Sequence, residues 1–242
     1  MNNIPVLGPL FKSIGDGFNW LGHLVILAVV FLHGFTGDWG LAIILLTVIV
    51  RIVMIPLTWK QTKSMLEMQR IQPKLKELQN KYKKDPEKLQ SETMKFYQDN
   101  KVNPFGGCLP LLIQLPIFIA LYQGIRLLTQ QVAGGPVSFW VIIPNLTLTP
   151  AQAWAQLGWV ATIPYLILVL LFSASIYFPQ QMIATDPQQK NIALIMAVVF
   201  IFFGWSAPAA VLLYWVVSSG WQVGQQWLTM RGINQSEGAK SS

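Results

Sequence analysis

Arg51 stands thirteenth in the apolar stretch 39–58, about 18 Å from Trp39 at 1.5 Å per residue. A guanidinium at the centre of a membrane helix costs about 2.5–3.5 kcal/mol on insertion scales, so it normally faces protein or water. No Asp or Glu lies within any apolar stretch of this chain to neutralise it. The chemistry on offer is attraction of an anion from outside the molecule. Snorkelling of the long side chain toward the interface is the rival reading. Thr47, Arg51 and Thr58 fall on one helical face, with Pro56 between them. A second stripe, Trp215, Ser218, Ser219, Gln222 and Gln226, follows at helical spacing, and Gln114, Gln180 and Gln181 add neutral donors and acceptors. Each alone could simply bind a neighbouring helix. Together they predict a hydrated cavity carrying one positive charge.

Other chemistry is poorly supplied. His23 and His33 are the only histidines and have no carboxylate companions at ligand spacing. The lone Cys108 permits no intrachain disulfide. Neither a nucleophile–base pair nor a metal set appears within the apolar stretches, so no enzyme and no cofactor are expected. Cation-coupled transport usually uses intramembrane carboxylates and repeated halves, and neither is visible. An anion channel or transporter past Arg51 stays open as the alternative.

The elements that must position Arg51 are membrane helices. Of 242 residues, 53% are hydrophobic and only 11% charged, against about 25% charged in soluble domains. Eleven of the 17 Lys and Arg residues fall between Lys60 and Lys101, with six of the ten acids. That basic segment marks a cytoplasmic loop. It has no interleaved aromatic platform for nucleic acid, so no direct nucleic-acid contact is expected.

Apolar runs of about 20 residues mark transmembrane helices. The expected fold is an all-α membrane protein with five of them around a hydrophilic groove: 39–58, 107–128, 159–178, 191–205 and 209–228. Residues 1–38 carry only a half-length apolar run, 24–32, which favours a helix lying in the extracytoplasmic interface over a signal peptide or a spanning helix. Residues 59–106 form the cytoplasmic hairpin, 129–158 an extracytoplasmic linker, 179–190 a cytoplasmic loop and 229–242 a cytoplasmic tail. The N-terminus is then outside and the C-terminus inside.

Within the hairpin, Met68, Ile71, Leu75, Leu78 and Tyr82 make an a/d seam. Asp85, Pro86 and Glu87 read as cap, first position and first turn of a second helix, continued by Leu89, Thr93 and Phe96. Pro73 marks the point where the first hairpin helix should restart. Met65 and Met68 offer an adaptable apolar contact for incoming segments, or ordinary packing. A solvated charged loop is the plainer reading of the whole segment.

The chain resembles the YidC/Oxa/Alb membrane protein insertases from about Gly8 to Arg231. The carriers are the run Trp39–Ile44 with Arg51 and Pro56, then Leu78–Tyr82 with Asp85-Pro86. Asn103–Pro110, Gln114, Pro116 and Leu121-Tyr122 follow, and last Leu213–Trp215 with Gln225-Gln226. The resemblance implies a groove open to cytoplasm and lipid but closed outside; between a plasma membrane and a thylakoid, the lack of a transit-like leader favours a bacterial plasma membrane. It places the family's groove arginine on Arg51, its groove glutamine on Gln180 or Gln181, and its fifth-span aromatic on Trp215. It also implies nascent membrane proteins and lipid as partners, with the Sec translocon and translating ribosome as candidates. Missing the large extracytoplasmic domain of Gram-negative members, the chain looks like the shorter type. Its tail 234–242 is hardly basic, which argues against ribosome docking through a polybasic tail.

Overall fold

The computed structural model describes residues 7–102, 109–131, 135, 137–183 and 187–241. The motif 103–108 therefore lies outside the described residues. Among the described residues the chain is helical apart from loops and an isolated bridge between Phe139 and Ile143. The helices are α1 Leu7–Thr36, α2 Trp39–Val53, α3 Ile55–Lys81, α4 Pro86–Asp99, α5 Leu109–Gln131, α6 Pro150–Ile183, α7 Pro187–Trp205 and α8 Ala209–Ser241.

By length and composition, two described helical stretches could cross a bilayer, Gly15–Thr36 and Pro150–Gln181. A third crosses if α2 and α3 count as one bent span. Stretches Gln114–Ile125 and Lys190–Trp205 are apolar but shorter. The polar stripe of α8 (Ser218, Ser219, Gln222, Gln225 and Gln226) lowers its apolarity. The N-terminal helix is also longer than its half-length apolar run implied. It continues unbroken for 30 residues.

Two expected continuities differ. The helix expected over 39–58 ends at Val53, and α3 departs at 66°. Pro56 falls in the first turn of α3, where its missing N–H is harmless, so the chain breaks at Met54 and restarts there. Thr58 therefore does not share a helix face with Thr47 and Arg51. Pro73, by contrast, is absorbed inside α3. The hairpin turn follows expectation: the Asp85 carboxylate accepts from the Lys88 amide at 3.2 Å, with Pro86 opening α4. Leu75 is buried in the seam, and Met68, Ile71, Leu78 and Tyr82 are half-buried.

The bundle packs α1 against α5 and α2, and α8 against α2 and α6, with α7 held on α6. Glycine permits the α1–α5 approach. A Cβ at Gly22 would lie 2.9 Å from the Gln123 Cβ. The Ser173 hydroxyl donates to the Ala197 carbonyl at 2.7 Å, tying α6 to α7. The core cluster runs from Ile26 and Val29 through Ala42 and Ile43 to Tyr165, Phe172 and Leu212.

A loop over 137–148 closes the end where α2, α6 and α8 begin. The amides of Ala209 and Ala210 donate to the carbonyls of Leu148 and Leu146, at 2.9 and 2.8 Å. Those amides head α8 and have no partner within their own helix. The Tyr165 hydroxyl donates to the Asn145 carbonyl at 2.7 Å. Phe139 packs over Gly40 so closely that any Cβ there would overlap its ring.

Candidate functional site

Arg51 sits in the last turn of α2 with 8% of its surface exposed. Its Nε donates to the Ser218 hydroxyl of α8 at 2.8 Å, and one terminal nitrogen donates to the same oxygen. That nitrogen also donates to Gln114 Oε1 of α5 at 3.4 Å. The Gln114 amide Nε2 in turn donates to the Tyr214 hydroxyl at 2.8 Å. Three helices thus meet through a cluster of one cation and three neutral groups. A buried charge must be hydrogen-bonded or paired; here dipoles satisfy it and the net charge remains. The snorkelling alternative does not describe this side chain, which is turned to α5 and α8.

The other expected groove residues divide. Thr47 is buried, but its hydroxyl donates to the Ile43 carbonyl of its own helix at 2.7 Å. Ser219 and Gln222 are half-buried on α8. Trp215 lies edge-on to Phe118 and Phe172, with ring centroids 5.7 and 5.5 Å away. Its ring belongs to an aromatic cluster with Phe200 and Phe203 rather than to the hydrogen-bonded group. Gln180 is exposed, and Gln181 has a buried amide nitrogen with no partner among the described residues.

Sequence reasoning missed Tyr214, Gln61 and the role of Gln225. Tyr214 is buried beside Trp215 in an apolar run, where an aromatic pair reads as packing. Its closeness to Gln114 appears only in three dimensions. Gln225 Nε2 donates to the Thr58 hydroxyl at 2.6 Å, fastening the start of α3 to α8 on the hairpin side of Arg51. Gln61, one turn further along α3, is buried with its amide nitrogen unpartnered among the described residues.

On the hairpin, Met65 and Met68 are half-buried along α3. An apolar groove of about 450 Å³ lies further out, lined by Gln79, Pro86, Leu89, Gln90, Thr93, Met94 and Tyr97. Met94, half exposed, is the methionine that faces it. Burial there raises the Tyr97 hydroxyl pKa above its ordinary value. No group of three or more potential metal ligands occurs among the described residues.

Comparison with known proteins places this chain in a family. The family described as 60Kd inner membrane protein matches residues 31–237. A membrane protein insertase YidC of Cellvibrio japonicus is 36% identical over 224 residues, 90% of this chain and 37% of that protein. One of Geobacter sulfurreducens is 34% identical over 231 residues, covering 94% and 40%. A crystal structure described as an active YidC insertase with its first transmembrane domain resolved aligns at a TM-score of 0.63 and 30% identity. That alignment covers 94% of this chain and 48% of the other. The chain spans less than half the length of these relatives. With a family match over residues 31–237 and relatives 34–36% identical over 90% or more of its length, the chain belongs to the 60Kd inner membrane protein family.

Proposed function

We propose that this chain is a membrane protein insertase of the bacterial plasma membrane, without enzymatic activity or cofactor. The observation that carries the proposal is the state of Arg51: a buried cation whose hydrogen bonds go to the neutral groups Ser218 and Gln114. Those partners orient the guanidinium and leave its charge for a polypeptide in transit. The name shared by the relatives supports the same reading.

In this reading five spans cross the membrane, the N-terminus is outside, and the hairpin and C-terminus are cytoplasmic. The N-terminal helix lies in the interface. A short acidic N-terminal tail enters from the cytoplasmic side toward Arg51. At an effective dielectric of about 20, opposite charges 4 Å apart attract by roughly 4 kcal/mol. Gln114 and Ser218 hold the guanidinium, and Ser219, Gln222, Gln180 and Gln181 line the path, while Thr47, bonded within α2, and Trp215, in the aromatic cluster, stand apart from it. The following apolar segment then partitions into lipid, releasing about 25 cal/mol per Å² of apolar surface buried. Partners are nascent membrane proteins and lipid, with the Sec translocon and translating ribosome as further candidates. Neither the relatives nor the geometry favours the anion-channel alternative.

Reconstitution in liposomes tests the proposal. Insertion of a small single-span substrate with an acidic tail is expected. Anion flux without insertion overturns the reading.

A further inference from the structure

From residue 127 to residue 185 the chain contains no Lys, Arg, His, Asp or Glu. Water-facing protein averages about one charged residue in four, so a run this long without charge is poorly suited to solvent. Part of it is α6, apolar and long enough to cross a membrane. The loop that precedes α6 is equally uncharged, and its tip is built outward.

The tip is held in shape. The Trp140 amide donates to Asp38 Oδ2 at 2.6 Å, while Asp38 Oδ1 accepts from the Leu41 amide at 2.8 Å and caps α2. Trp140 adopts φ +44°, a left-handed conformation unfavourable for a bulky residue. Its ring stacks on Phe139, centroids 5.5 Å apart, and Phe139 is seated on Gly40. The braced turn presents Trp140, Val141 and Ile142 at 57%, 99% and 47% exposure. Within α6, exposed Trp154, Trp159 and Val160 flank the bend at Gly158.

We infer that Trp140, Val141 and Ile142 form a lipid-docking wedge seated at the headgroup–acyl boundary of the leaflet opposite the hairpin. Absence of charge, an exposed apolar tip carrying a tryptophan, and further exposed apolar residues near the start of α6 fit that layer. The inference rests on the bundle lying in a bilayer, as proposed above, and does not depend on insertion activity. Because the wedge is braced through Asp38 to the start of α2, it fixes how deep the closed end sits.

The test uses the full chain carrying Cys108→Ser, with a nitrobenzoxadiazole fluorophore at Val141→Cys, in phosphatidylethanolamine/phosphatidylglycerol vesicles. Lys84→Cys in the hairpin turn is the aqueous reference and Leu170→Cys on the exposed face of α6 the lipid reference. At position 141, nitroxide lipids labelled near the glycerol are expected to quench more than those labelled at the bilayer centre. Aqueous iodide quenching should be largely lost relative to position 84. Adding Val141→Asp to an Ile142→Cys reporter should restore it. Iodide quenching at 141 equal to that at 84, with 170 protected, overturns the wedge and marks a solvent or protein-docking loop. Exposure at both 141 and 170 overturns the membrane placement of the bundle as well.

Discussion

The Nε of Arg51 donates to the hydroxyl of Ser218 at 2.8 Å across 167 positions of sequence, joining the end of α2 to the first third of α8. Hydrogen bonds to charged groups contribute about 1.5–3 kcal/mol. Ser218→Ala removes that acceptor and leaves Gln114 to hold the cation. Stability should fall by about 2 kcal/mol, measured by unfolding in micelles, while Ser218→Thr should stay near wild type. Equal stability of Ser218→Ala and wild type would show that the bond is incidental.

Removing the charge itself should act on function. Arg51→Ala is expected to slow insertion of acidic-tailed substrates in proteoliposomes by at least about tenfold, given an attraction of roughly 4 kcal/mol. Substrates with neutral tails should be affected much less. Arg51→Lys keeps the charge but loses the planar fork that spans Ser218 and Gln114, so an intermediate rate is expected. Wild-type rates for Arg51→Ala on acidic tails contradict the role.

The closed end makes a steric prediction. Gly40→Ala places a Cβ inside the Phe139 ring, and overpacking of this kind costs about 1–3 kcal/mol. Phe139→Ala in the same chain should recover part of the loss, giving a non-additive double-mutant cycle. Additive losses would mean the two residues do not meet.

The hairpin can be loosened separately. Asp85→Ala deletes the cap that accepts from the Lys88 amide, at about 0.5–2 kcal/mol. Hydrogen exchange in the first turn of α4 should speed up, with exchange around Arg51 unchanged. Spread of the effect into α2 would show that hairpin and bundle are coupled.

The legible parts of this molecule were those written as one-dimensional patterns. Asp85-Pro86 sets a helix start by local hydrogen bonding, and the seam around Leu75 follows from period. The polar stripe of α8 brought Ser218 forward, and Gln114 stood out in an apolar run. What stayed hidden depends on distant partners. Tyr214 matters through Gln114 of another helix, and Trp215, beside it in sequence, faces an aromatic cluster instead. Both Pro56 and Pro73 interrupt helical pattern equally on paper. One opens α3 and the other is carried inside it. The loop over 137–148 has no period, so its bracing by Asp38 and Tyr165 left no trace in spacing.

The joint at Met54 has a mechanical consequence. With 27 residues, α3 is a stiff rod about 40 Å long. Ten degrees of swing about its origin would carry the Lys81 end roughly 7 Å sideways. Such a sweep bends the chain at Met54 and strains the Gln225–Thr58 hydrogen bond at the base of α3, so that bond sets how far the tip can move while the guanidinium upstream keeps its bearing.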